Sequence, residues 1–174
     1  MLQNILLGLA ILIAGLLLFA ASRPASFRIE RRATMKAPAD RIFAQLTDFH
    51  AWAAWSPWEK MEPGMQRTYS GAASGVGAAY AWAGAKVGSG RMEIMDMTPS
   101  SRLTIKLDFL KPFEAHNTTI FTLTPGGDGV SVTWAMEGAN RLIGKVMGIF
   151  MSLDKMIGKD FEAGLANMKA LVEK

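Results

Sequence analysis

The sequence predicts an α+β fold, in which a curved antiparallel sheet of about seven strands wraps around a long C-terminal helix, with an apolar helix ahead of both. Three features predict it. The first 22 residues carry no charged side chain, and closely spaced segments from about residue 66 to Ala139 alternate apolar and polar with a period of two. From Asn140 onward the apolar positions recur every three or four residues, as on a helix. A chain of 174 residues builds one hydrophobic core of ordinary size beyond the leading segment.

Ile5 to Ala21 reads almost purely Leu, Ile, Ala and Gly. At about 1.5 Å per residue such a helix, with its flanks, reaches the roughly 30 Å of a hydrocarbon layer. Residues 1–24 are therefore expected to be an uncleaved anchor, crossing a membrane through residues 5–21. The competing outcome is a cleaved signal peptide. No Lys or Arg precedes the apolar core, and Leu18 and Phe19 spoil the small-residue rule for cleavage after Ala20 or Ala21, which leaves cleavage after Ser22. Arg23, Arg28, Arg31, Arg32 and Lys36 then stand against Glu30 alone, and the positive-inside rule places residues 25–174, the folded domain, in the cytoplasm; the opposite side stays open.

Phe27, Ile29, Ala33 and Met35 alternate with charged residues, as on a half-buried strand, with Arg31 the exception on the inner side. Pro38 suits the first position of a short helix that buries Ile42, Phe43, Leu46 and Phe49. The stretch from Trp52 to Trp58 is too aromatic and too interrupted by Pro57 for more than one helical turn and a loop. Strands follow at about 66–71, 78–84, 87–97, 101–110, 116–124 and 130–138, punctuated by turn residues such as Gly126-Gly127-Asp128-Gly129. Such close spacing favours an antiparallel meander over parallel crossovers. In the terminal helix Leu153, Phe161, Leu165, Met168 and Val172 fall on one apolar face, and Gly158 and Gly164 are the places expected to bend or split it.

Composition excludes several chemistries. Without cysteine there is no disulfide, thiolate metal site or thiol nucleophile, and His50 and His116 alone do not make a histidine metal centre. No metal and no cofactor is expected. The net charge of +4 comes entirely from the basic cluster after the apolar run, since residues 37 to 174 hold 14 cationic and 14 anionic side chains. A nucleic-acid groove needs clustered cations on the folded surface, so no nucleic-acid partner is expected.

The opening strand with Ala37-Pro38 and the helix through Thr47-Asp48-Phe49, the segment Trp55-Ser56-Pro57-Trp58, the strand Val132 to Gly138 and the terminal Gly158-Lys159-Asp160-Phe161-Glu162 together resemble the START-like helix-grip superfamily, also called SRPBCC, and within it the polyketide cyclase-like group. The resemblance covers residues 26 to 173. It implies the helix-grip fold and an apolar cavity between helix and sheet that holds lipids, polyketides, sterols or similar molecules. These are fold signatures without a catalytic consensus.

Strand parity selects the side chains that face such a cavity: Tyr80 and Trp82, then Leu103, Ile105, Leu107 and Phe109, then Val132, Trp134 and Met136. From these and the terminal helix, Tyr80, Trp82, Leu107, Phe109, Trp134, Met136 and Phe150 are the expected ligand-binding residues. Periodicity alone does not separate a cavity wall from a filled core. Twelve methionines suit a deformable pocket but also fill ordinary cores. Trp52, Trp55 and Trp58 are better used as core packing than as a membrane belt, and the glycines of Ser74 to Gly77 and Gly88 to Gly90 are better read as turns than as a phosphate cradle.

For catalysis the inner parity offers Tyr80 and Asp96, Glu137 at a strand end, and Arg31 as a charge partner, and no nucleophile, base and orienter can be assembled. The first functional reading is membrane-tethered binding or transfer of a hydrophobic small molecule. The second is a polyketide cyclase- or dehydratase-like enzyme using Tyr80 or Asp96 for proton transfer. The third is a chaperone-activator-like module with a protein partner. An apolar cavity favours the first, a polar group inside it the second, and a filled core with an exposed apolar patch the third.

Overall fold

The chain's first strand lies beside its last, and that pairing organises everything between them. The structure, a computed structural model, describes the backbone of residues 1–174 and the side chains of all but Ile143 and Phe150. Helix α1 (Leu2–Ala21) is followed by β1 (Ser26–Met35), then α2 (Ala39–Thr47), α3 (Trp52–Trp55) and α4 (Pro57–Met61). Six strands follow: β2 (Gln66–Gly71), β3 (Ala78–Gly84), β4 (Gly88–Thr98), β5 (Arg102–Lys111), β6 (Ala115–Gly126) and β7 (Gly129–Ala139). Helices α5 (Leu142–Phe150) and α6 (Leu153–Val172) complete the chain. The seven strands form one antiparallel sheet in the order β1-β7-β6-β5-β4-β3-β2, and α6 packs on it along β1. This is the α+β helix-grip fold, with every expected strand present and its ends within two residues of the expected ones.

Three local readings are corrected. Pro38 is the N-cap of α2 rather than its first residue. The tryptophan segment makes two short helices, α3 and α4, separated at Ser56 with Pro57 opening the second. Trp52 and Trp55 are buried core residues, and their indole N–H groups donate to the carbonyls of Leu46 (3.2 Å) and Gln45 (3.1 Å), which ties α3 to the end of α2.

The third correction concerns the terminal helix, which breaks at Met151 and Ser152 and not at a glycine. Both residues are extended, and the Ser152 hydroxyl accepts a hydrogen bond from the Lys155 N–H (3.2 Å), so α6 begins with a side-chain cap. Gly158 and Gly164 instead sit inside α6, where they permit close approach. A Cβ at Gly158 would collide with the Arg31 guanidinium, and one at Gly164 would come within 2.8 Å of the Trp134 ring. The break also rotates Leu153 off the core face. Phe161 is 2% exposed, whereas Leu153 is 40% exposed.

Helix α1 is apolar and long enough to cross a membrane by length and composition. Its one buried residue is Ala20, at the end that touches α5.

Phe161→Ala is expected to cost about 3–5 kcal/mol through lost burial and the cavity left behind. Leu153→Ala should stay within about 0.5 kcal/mol, as surface changes usually do. Denaturant melts of the full-length chain in one detergent check both, and equal losses would contradict the helix break.

Candidate functional site

Between α6 and the sheet lies a cavity of about 440 Å³. On the sheet side its walls are Tyr80 and Trp82 of β3, Met92 of β4, Leu107 and Phe109 of β5, Thr119 of β6, and Trp134 and Met136 of β7. Helix α6 contributes Met156, Ile157, Asp160 and Phe161, and the α3–α4 segment closes one side with Trp52, Ser56, Trp58, Glu59 and Met61. The exposed lining residues Met61, Lys86 and Met156 mark the mouth. Alternation along antiparallel strands delivers the aromatic and aliphatic wall, because residues two apart share a face.

Six of the seven expected ligand-binding residues therefore meet at one void: Tyr80, Trp82, Leu107, Phe109, Trp134 and Met136. The seventh, Phe150, lies outside the described residues. The other residues selected by strand parity, Leu103, Ile105 and Val132, are packed in the core.

The polar candidates divide differently. Asp96 is exposed on the outer face. Ile94 pairs with Ile105 but Asp96 pairs with Thr104, so Met95 is an extra residue in β4, and this bulge exchanges the two faces of the strand beyond it. Met97 takes the inward position that simple alternation assigned to Asp96. Glu137 also points away from the cavity and pairs with Arg28. Arg31 keeps its inner parity but reaches α6, donating through Nε to Glu162 (2.6 Å) and through Nη1 and Nη2 to Asp154 (both 3.0 Å). It clamps β1 to the helix and does not line the cavity.

A polar group that parity did not reveal sits against Tyr80. Glu59, 8% exposed, accepts from the Tyr80 hydroxyl through Oε1 (2.5 Å) and from Arg67 Nε through Oε2 (2.7 Å). Arg67 spends its Nη1 on the carbonyls of Pro63 (3.0 Å) and Met65 (2.8 Å). Burial, reinforced by the bond to Glu59, pushes the Tyr80 phenol far above its ordinary value, so it remains a protonated donor. Tyr69, whose ring neighbours Tyr80 at 5.2 Å, is raised by burial as well. The sequence signal for Glu59 is weak, because a five-residue helix shows no periodicity that would say which side chain turns inward.

Asp160 is the second acidic residue on the wall. It has no side-chain hydrogen-bond partner among the described residues, and burial pushes its carboxyl above the usual range. His50 and His116 are exposed and lie off the cavity, His50 stacked on Tyr69 and His116 bonded to Asp108 and Glu114. The site can therefore enclose an apolar body and offer it one open acidic contact.

The family described as polyketide cyclase / dehydrase and lipid transport matches residues 26–173. The chain belongs to this family. Solved structures share its fold at low sequence identity. A Chromobacterium violaceum protein is 20% identical with a TM-score of 0.62, covering 87% of this chain and 99% of its own. The Aha1 dimer of Colwellia psychrerythraea is 17% identical with a TM-score of 0.56, covering 84% and 96%. StfQ, a di-domain ARO/CYC from the steffimycin biosynthetic pathway, is 11% identical with a TM-score of 0.60, covering 86% of this chain and 51% of its own. No curated protein matches the sequence at a significant level. As a polyketide cyclase / dehydrase and lipid transport family member, the chain places its cavity between helix and sheet, where the helix-grip resemblance puts it.

The raised phenols make alkaline stability a test of the Tyr80–Glu59 contact. A phenol whose folded pKa exceeds its unfolded value stabilises the fold fully below about pH 10, and the contribution is lost as the pH rises beyond it. Neither of the two tyrosines should ionise near pH 10 while the chain stays folded, as read by phenolate absorbance. Tyr80→Phe should shrink the alkaline loss of stability, and an ordinary titration of both groups would break the assignment.

Proposed function

We propose that the protein binds a hydrophobic small molecule of lipid or polyketide-like character in the cavity, and holds or carries it at a membrane to which α1 tethers the domain as a single-pass anchor. The observation that carries this reading is the void itself. Its volume of about 440 Å³ lies within the roughly 300–1,000 Å³ of small-molecule sites, and its wall is mostly aromatic, aliphatic and thioether. Tyr80, Trp82, Leu107, Phe109, Trp134 and Met136 supply the contact surface. The family description, cyclase/dehydrase and lipid transport, agrees with such cargo. The basic cluster after α1 favours a cytoplasmic domain. Glu59 is occupied by Tyr80 and Arg67, so Asp160 is the acidic group on the wall left to bond a hydroxyl or amine on the ligand.

Filling the void tests this. Leu107→Trp places an indole where the ligand would sit, on a residue that is 8% exposed at the cavity wall. Solvent extraction and mass spectrometry of purified full-length protein should recover a near-stoichiometric hydrophobic molecule from wild type. The variant should yield at least about tenfold less, the equivalent of 1.4 kcal/mol in binding. Thermal melts of both proteins confirm that the variant is folded. Equal recovery from the two proteins, or none from either, removes the binding reading.

Asp160 favours a second reading, a cyclase- or dehydratase-like enzyme. A carboxyl with a raised pKa against an apolar wall is a suitable general acid or base. Asp160→Asn would then leave a ligand bound but change which one: the unreacted precursor accumulates in the variant, heavier by one water where the step eliminates water and isomeric with the product, separable by chromatography, where it only closes a ring. The same molecule in both proteins would exclude turnover through Asp160.

A further inference from the structure

Half of the exposed large apolar side chains that follow α1, among the described residues, fall in one stretch of fifteen residues. Leu142 (52% exposed), Met147 (42%), Met151 (52%), Leu153 (40%) and Met156 (54%) run from α5 across the break into the first turn of α6. One end of this strip touches the end of α1. Lys145 Nζ donates to the carbonyl of Ala21 (3.3 Å), Arg23 Nη1 donates to the carbonyl of Gly148 (3.1 Å), and Asn140 Nδ2 donates to the carbonyl of Pro24 (3.3 Å). The other end, Met156, forms part of the cavity mouth. A hollow bordered by Arg23, Lys145, Met151 and Leu153 shows how close the end of α1 comes to the start of α6.

We propose that α5 and the first turn of α6 dock on the bilayer beside α1, so that the cavity mouth opens at the lipid surface and exchanges its ligand with the membrane directly. The inference rests on the reading of α1 as a membrane span. Where α1 leaves the hydrocarbon, at Ala21, α5 is held by the contacts just described, which sets it at the depth of the headgroups. A helix with exposed Leu and Met and neighbouring Lys and Arg suits that depth, its apolar side in the acyl boundary and its cations on phosphate. Arg141, Lys145, Lys155 and Lys159 supply the cations. Of the nearby anions, Asp154 and Glu162 share Arg31 and Asp160 lies at the cavity, so these four cations and Arg31 outnumber the three carboxylates. The surface is therefore complementary to anionic lipid.

The absence of native cysteine gives a direct test with the full-length chain. Single-cysteine variants Met147→Cys, Met156→Cys, Leu9→Cys and Asp128→Cys carry an environment-sensitive fluorophore and are reconstituted into phosphatidylcholine vesicles with and without phosphatidylglycerol. Asp128 lies in the β6–β7 turn, at the end of β7 away from α5. A headgroup-level nitroxide lipid should quench the labels at 147 and 156 several-fold more than the label at 128. Phosphatidylglycerol should widen that gap, and aqueous iodide should quench 128 preferentially. If 147 and 156 behave like 128 while 9 is protected from iodide within the bilayer, the anchor stands and the docking surface falls. If 9 is quenched freely by iodide, the anchor reading falls and the docking surface with it. Labels at 147 and 156 shielded from both quenchers would mean that a second copy or another protein covers the strip, which also overturns the proposal.

Discussion

The stack of Trp134 on Phe161 is the contact on which the rest of the domain depends. The two rings lie 4.2 Å apart and 8° from parallel, one from β7 and the other from α6. Phe121, Trp55 and Trp58 pack around the same indole at 4.9, 5.6 and 5.8 Å, so strands β6 and β7 and helices α3, α4 and α6 converge on one side chain. Gly164 permits the approach. The indole N–H has no hydrogen-bond partner among the described residues, a penalty of about 1–3 kcal/mol that the aromatic burial offsets. Arg31 adds a second attachment of α6 to β1. Both attachments lie on the β1–β7 side of the sheet, and the helix consequently does not settle onto β3, β4 and β5. The cavity is the space that this arrangement leaves open.

The Glu59–Arg67–Tyr80 group shows how an acid is accommodated beside that space. A buried carboxylate is costly unless its oxygens are satisfied, and here one oxygen takes Arg67 and the other Tyr80. The same bonds fasten α4 to β2 and β3, which makes the α3–α4 segment a fixed wall rather than a loose loop. Since the group is closed on itself, the cavity keeps an apolar character although Glu59 and Tyr80 line it. Asp160 on the opposing helix has no such partner among the described residues, and the two proposed readings, holding a ligand or transforming it, differ in what they ask of that open carboxyl.

Much of this was legible in the sequence. Strand spacing, alternation and a terminal helical period led to the sheet, its order of elements and six cavity-wall residues, because these are local patterns with direct geometric meaning. Where the reading failed, a single residue had changed the phase of such a pattern. Met95 bulges out of β4 and sends Asp96 to solvent. The Met151–Ser152 break rotates Leu153 away from the core, whereas Gly158 and Gly164, which look like breaks, serve close contacts with Arg31 and Trp134. Glu59 was missed because α4 is shorter than two helical turns and defines no face. The cavity was also beyond the sequence alone: its volume follows from the separation of helix and sheet, which contacts between distant residues decide.

That same break connects the apolar N-terminal helix of the chain to its gripping helix. Had residues 142 to 172 formed one straight helix, it would have run roughly 45 Å and carried its first turns away from β1. Two extended residues at Met151 and Ser152 let α5 change direction, and the Ser152 cap gives α6 an independent start. Helix α5 can then return to the end of α1 while α6 remains held by Arg31 and Trp134. The end of the apolar helix α1 and the start of the gripping helix α6 are thereby brought together through α5, on the side of the domain where Met156 lines the mouth of the cavity.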